Sequence, residues 1–260
     1  MGDNQSTSEQ FQDALGLFKR LRVKHKGITT GYHNLAETHF TMKSYPEALE
    51  CFKLEILGQH LSTANSFHRL GVVYCIMGDF TSALEAFQKA SDMRSNLLGD
   101  HSDKAQSYQC VGIAQMYTGD LQGAIKSLQK ALKLRKRLKD FPGMADIFYV
   151  LGCVHLERGD YQSAREQFQD AVDLNKTFRG KHVNTANCCH NLASTYLHLG
   201  SYPEALDVCQ QALSLRQGLL GHNEQTLNSL ETLECIHLKM GNICRAHEAF
   251  SKHQTSNAIG

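Results

Sequence analysis

The chain has 260 residues, 42% of them hydrophobic and 20% charged, an ordinary composition for a folded protein. Its 27 basic and 26 acidic residues nearly cancel, which excludes the basic excess that nucleic-acid binders use against phosphates. No apolar run approaches the ~18 residues of a membrane span, and Met1 to Gln10 are too polar for a secretory signal.

Taken in order, residues 1–7 are expected to be a disordered tail, and residues 8–25 form half a repeat. In that half, Phe11, Ala14 and Phe18 match a second helix whose first helix is missing. An array interrupted mid-repeat and an unusual cap would both give this pattern. Full repeats begin near Thr29, Ala64, Ala105, Ala145, Ala186 and Leu227, and residues 253–260 make a C-terminal tail. The unit from Ala64 to Ala90 is the clearest. Phe67, Leu70, Gly71 and Tyr74 follow one helical stripe, Gly78-Asp79 breaks it, and Phe80, Ala83, Phe87 and Ala90 begin another. A helix-turn-helix unit of this size cannot bury its own apolar faces, so it requires neighbours.

The turn signal recurs as Ser44-Tyr45, Asp79-Phe80, Asp120-Leu121, Asp160-Tyr161, Ser201-Tyr202 and Asn242-Ile243, at spacings of 35, 41, 40, 41 and 41. Three residues after each turn stands Ala48, Ala83, Ala124, Ala164, Ala205 or Ala246, and seven after it Phe52, Phe87, Leu128, Phe168, Cys209 or Phe250. Nine before it come Ala36, Gly71, Gly112, Gly152, Ala193 and Glu234. Small residues let crossing helices approach, and large ones fill the space beside them. Gly99, Gly180 and Gly221 are expected to close three lengthened second helices, with Leu138 to Gly143 as the fourth linker. Pro46 and Pro203 fall where a helix tolerates proline at its start, whereas Pro142 is expected in a loop.

This pattern resembles the tetratricopeptide repeat (TPR): a large residue, Leu-Gly, Tyr, Gly-Asp-Tyr, Ala, Phe, Ala. The longer units with Leu-Gly-x-His linkers are similar to kinesin light chain arrays, and those ending near Leu-Gly-Asp to the Leu-Gly-Asn-repeat polarity adaptors. The resemblance covers about residues 8–252 and implies an all-α, right-handed superhelical solenoid of stacked helix-turn-helix repeats. It further implies a concave groove lined by first helices, and hence a non-catalytic scaffold that binds a peptide or helix of a protein partner. Sensor proteins with such arrays carry a nucleotide-binding module, but no Gly-x-x-x-x-Gly-Lys-Ser/Thr loop occurs here.

Groove positions follow from counting along the first helices. They include Asn34, His68, Arg69, Val72, Ile76, Ile113, Met116, Tyr117, Tyr149, Val150, Leu156, Asn187 and Asn191. The middle of this set is more apolar than a water-facing surface requires, and such patches mark binding surfaces. Inter-repeat core is the competing reading. Asn34 and Asn191 precede Leu-Ala, where kinesin-light-chain-like arrays carry a ligand-binding Asn. The matching positions hold Arg69, Cys110 and Val150, so the ladder is interrupted. A carboxylate clamp for a chaperone tail would have only His33, Asn34, His68 and Arg69 to use.

No catalytic residues, metal site or cofactor are expected. Cys188, Cys189 and His190 diverge on a helix, whereas a zinc site needs converging ligands. Cys209 takes a core Phe position, and His39, His155 and His237 take a Tyr position between paired helices. The basic run Lys133, Arg135, Lys136, Arg137 and Lys139 reads as a solvated helix end, or as a nuclear-import or acidic-partner patch. Nine cysteines without a Cys-x-x-Cys pair indicate reduced thiols, consistent with a cytoplasmic chain. Alternatives to peptide capture are self-assembly into a homo-oligomer through uncapped terminal repeats, and an RNA-reading helical-repeat protein. Neither membrane nor nucleic acid is the expected partner.

Overall fold

A computed structural model describes residues 26–55, 61–221, 223–246, 248 and 251. The expected tails and the half repeat at 8–25 lie outside the described residues. Among the described residues all regular structure is helical and no strand occurs. Unit 1 (Met1–Leu134) and unit 2 (Arg135–Gly260) are separately compact. Unit 1 holds α1 (Lys26–Thr41), α2 (Tyr45–Glu55), α3 (Leu61–Ile76), α4 (Phe80–Leu97), α5 (Ser102–Tyr117) and most of α6 (Leu121–Arg137). Unit 2 holds α7 (Phe141–Glu157), α8 (Tyr161–Phe178), α9 (Val183–His198), α10 (Tyr202–Leu220) and α11 (Glu224–Lys239), with another helix beginning at 243–246. Within each unit the closest helix pairs are successive in the chain. This is an all-α fold of the helical-hairpin solenoid class. Each first helix starts about one turn before the repeat start read from sequence, with the apolar register unchanged.

Turn chemistry explains where the hairpins bend. Gly78 adopts φ +80°, a left-handed conformation open to glycine without steric cost. Asp79 then caps α4, its Oδ1 accepting the Ser82 amide at 3.0 Å. Asp120 and Asp160 repeat this cap on Gly123 and Ser163, at 2.9 and 3.1 Å. Gly180 and Gly221 close their linkers at φ +63° and +64°, but Gly99 does not take this conformation. The linker before α7 differs most from expectation. Pro142 is in the first turn of α7 rather than in a loop, because Asp140 caps Gly143 N at 2.9 Å. Proline costs nothing there, since a first-turn amide has no helical acceptor.

The small-against-large pairing is the packing rule inside each hairpin. A Cβ on Gly71 would come within 2.6 Å of the Phe87 ring, and one on Gly152 within 2.6 Å of the Phe168 ring. Gly112 stands in the same relation to Leu128. Phe52, Leu128 and Phe168 are fully buried, each contributing about 2–3 kcal/mol by removal of apolar surface from water. In unit 1 Phe52 packs with Tyr32, Leu35, Leu70 and Val73. In unit 2 Phe168 packs with Val172, Cys188, Cys189 and Leu192, and the fully buried Cys209 with Ala193 and Ile236.

Candidate functional site

The groove residues expected from sequence lie on first helices: α1, α3 and α5 in unit 1, α7 and α9 in unit 2. In unit 1, Asn34 is half-exposed and its side-chain amide makes no hydrogen bond among the described residues. Arg69 is exposed, with Nε 2.9 Å from Glu37 Oε1 and its guanidinium 6.0 Å from the Phe40 ring centroid. That pair ties the sixth position of one repeat to the ninth of the preceding one. His68 is half-buried against the Phe87 ring at 5.6 Å. Burial, reinforced by the charges of Arg94 and Arg69, pushes its pKa down to about 4 despite the opposing charge of Asp103. Val72 packs partly onto the Phe87–Val111 cluster, while Ile113 and Met116 are half-exposed. Ile76 and Tyr117 are the open positions, 48% and 58% exposed. Tyr117 stacks on Phe80 of the preceding repeat at 4.4 Å, leaving its other face to solvent.

Unit 2 treats the same columns differently. Tyr149 lies edge-on to Phe168 and accepts a hydrogen bond at 3.2 Å from Asn191 Nδ2. Asn191 also points at Cys153 Sγ, at 3.8 Å. Burial raises the Tyr149 hydroxyl to about 12 and the Cys153 thiol to about 11, so both stay neutral donors near pH 7. Leu156 is half-buried against the Phe168 cluster. Asn187 is occupied by its own chain, its Oδ1 accepting from Arg216 Nη2 at 3.0 Å. Val150, expected in the groove, is a core residue at 9% exposure.

Sequence reasoning missed the residues that bind one repeat to the next. Arg94 donates to Asp103 O at 3.1 Å, Ser107 Oγ at 2.8 Å and Asn65 Oδ1 at 2.8 Å. Arg216 repeats the arrangement on Gln225 O, Ser229 Oγ and Asn187 Oδ1, at 2.6, 2.7 and 3.0 Å. Both arginines are 3–4% exposed, and burial lowers their pKa. In the repeat between them along unit 2, Asn175 takes this position and donates to Cys188 Sγ at 3.3 Å. Arg179 instead reaches back into its own repeat, gripping both carboxylate oxygens of Asp146 at 2.6 and 2.8 Å. The available signal was an arginine fourteen residues past the turn in three repeats: Arg94, Arg135 and Arg216.

Cys188 and Cys189 are buried on α9, and burial raises Cys188 to about 12. Among the described residues no His, Cys, Asp or Glu side chains gather as three metal ligands would. His39, His155 and His237 are packed as expected, but each leaves a buried Nδ1 without a hydrogen bond. His155 Nδ1 does lie 3.5 Å from Asp160 Oδ2. No helix among the described residues is long and apolar enough to cross a membrane. A cavity of about 500 Å³ lies off the first-helix face, between Lys176, Lys181, Asp207 and Gln211.

Stacked hairpins with small-against-large crossings and Gly-Asp turns define a protein of the tetratricopeptide-repeat class. Residues 55–258 match the family described as the MalT-like TPR region, and the chain belongs to that family. Among solved structures it is similar to the TPR-like repeats assigned to a kinesin light chain of P. anserina, with a TM-score of 0.67 and 21% identity over 78% of this chain and 98% of that one. BtubC from P. vanneervenii gives a TM-score of 0.69 at 16% identity over 89% of this chain and 90% of that one. A Rap protein complexed with competence and sporulation factor gives 0.64 at 16% identity over 96% and 74%. No protein of curated function matches the sequence.

Proposed function

We propose that this chain is a non-catalytic, cytoplasmic interaction scaffold that takes a peptide or helix of a protein partner on its first-helix face. The proposal extends to residues 8–252 as one repeat array. The observation that carries it is the open part of unit 1, where Ile76, Ile113, Met116 and Tyr117 expose apolar surface on the first helices that also present Asn34. An apolar stripe edged by amide donors and acceptors fits an amphipathic helix or an extended peptide. Methionine adapts to the irregular side chains of either. A Rap protein complexed with competence and sporulation factor shows that a chain of similar fold holds a ligand.

Site-specific photo-crosslinking in cell extract tests this. A benzophenone amino acid placed at Met116 should capture a discrete partner, and one placed at the exposed second-helix residue Gln129 should not. Equal capture at both sites, or capture at Gln129 alone, rejects the first-helix face as the docking surface.

A further inference from the structure

One surface of unit 2 is not used by the first-helix face. Phe141 opens α7 and Phe178 ends α8, and the antiparallel hairpin stacks their rings at 4.6 Å with planes 4° apart. Leu138, Phe141 and Phe178 are 37%, 37% and 48% exposed, and at this hairpin end they form a paired aromatic surface with an adjoining aliphatic residue. Around them are the exposed cations Lys136, Arg137, Lys139 and Lys181. The carboxylates close by are already engaged. Asp140 accepts from Arg135 and the Gly143 amide, and Asp146 is held by Arg179. Lys136, Lys139 and Lys181 have no acidic partner among the described residues.

A helix C-terminus gains from one or two cations in its last turn. That accounts for the cations of the α6 end, and leaves Lys139 and Lys181, which lie beyond it, unexplained. The chain as a whole carries a net charge of only +1, so this edge is a local concentration and not a reflection of bulk charge. Lys139 also sits at φ +54°, where the other linkers place Gly180 and Gly221.

From this juxtaposition we infer that the Leu138–Phe141–Phe178 edge is a second docking surface, whose occupant is an acidic peptide segment bearing an aromatic or aliphatic anchor. The anchor would lie against the outer face of the ring pair, where apolar area is removed from water. Flanking carboxylates would meet Lys136, Lys139 and Lys181, which form a cationic rim. Nucleic acid suits the site less well. The two rings already occupy each other's inner faces, and an aliphatic Leu138 offers a base no stacking plane.

The test is fluorescence anisotropy on the full chain with a short labelled peptide alternating glutamate with phenylalanine and leucine. It should bind in a salt-sensitive manner. Its lysine-for-glutamate and serine-for-phenylalanine analogues should each bind about tenfold more weakly or not at all. Lys136→Glu combined with Lys139→Glu should weaken the acidic peptide by about tenfold and admit the lysine peptide instead. Phe178→Gln should weaken the acidic peptide while circular dichroism shows unchanged helicity. Lys139→Gly guards against a folding artefact, because glycine suits φ +54° and should raise the melting temperature while reducing binding. Absence of binding by the acidic peptide overturns the inference. So does equal binding of the lysine peptide, indifference to these substitutions, or tighter binding of a single-stranded oligonucleotide or a phosphatidylserine vesicle.

Discussion

The first-helix faces of units 1 and 2 are built from the same repeat columns and reach different ends. In unit 1 the exposed sixth-position Arg69 pairs with the half-buried Glu37, and Ile76 and Tyr117 remain open to solvent. In unit 2 the sixth-position Asn191 bonds to Tyr149 and points at Cys153, and Val150 is buried. An ion pair whose arginine lies in solvent contributes little, on the order of 1 kcal/mol, so the unit 1 face gives up less when a ligand takes Arg69. On the unit 2 face Asn187 and Asn191 are engaged within half-buried surroundings, where breaking a hydrogen bond costs more. Beneath this difference the arginine joints are alike: Arg94 in unit 1 and Arg216 in unit 2 make the same set of bonds.

The sharpest way to test the likeness is to remove the joints. Arg94→Ala and Arg216→Ala should each cost about 3 kcal/mol in urea titration, because buried Ser and Asn acceptors and a carbonyl lose their donor. A loss confined to one of them would break the equivalence.

Next is pH. Burial, then the positive charge of Arg94 or Arg216, lowers the pKa of His68 and His190 to about 4. The unfolded chain therefore takes up these protons first as pH falls. The associated stability is intact above about pH 6.5 and is lost progressively toward about pH 4, on the order of 1–2 kcal/mol per histidine by pH 5. His68→Gln and His190→Gln should each flatten the slope of melting temperature between pH 7 and 5, and an unaltered slope contradicts the assignment. The Asp79 and Asp160 caps, whose pKa is depressed by the side chains and then the amides of Ser82 and Ser163, contribute only to a further loss at lower pH.

Tyr149→Phe strands the Asn191 amide and should cost about 1 kcal/mol by thermal denaturation. At the bottom of the scale, Tyr117→Phe keeps the ring stack and removes only a solvated hydroxyl. It should change stability by less than ~0.5 kcal/mol. If the two tyrosine substitutions cost the same, the contrast between an open and a closed face is wrong.

The hairpins were legible because each is specified locally. Asp79, Gly78, Ala83 and Phe87 all act within one turn or one helix crossing, so their spacing carries the geometry. The fate of groove residues was harder to read. Asn187 is held by an arginine 29 residues later and Asn191 by a tyrosine 42 residues earlier. Neither partner belongs to the motif columns. Pro142 was misplaced for a similar reason, since Asp140 could equally begin a loop or cap a helix until Gly143 presents its amide.

Successive pairing of helices has a consequence during synthesis. At ~5–20 residues per second a repeat of 41 residues leaves the ribosome over roughly 2–8 s, whereas hairpins rich in local contacts form in microseconds to milliseconds. Gly71 against Phe87 can therefore lock while the next repeat is still being translated. Arg94 has to wait for Ser107, a residue of that later repeat. A nascent hairpin with an arginine such as Arg94 or Arg216 thus closes its own crossing first and acquires its joint only when its successor arrives, giving those steps a built-in direction of assembly.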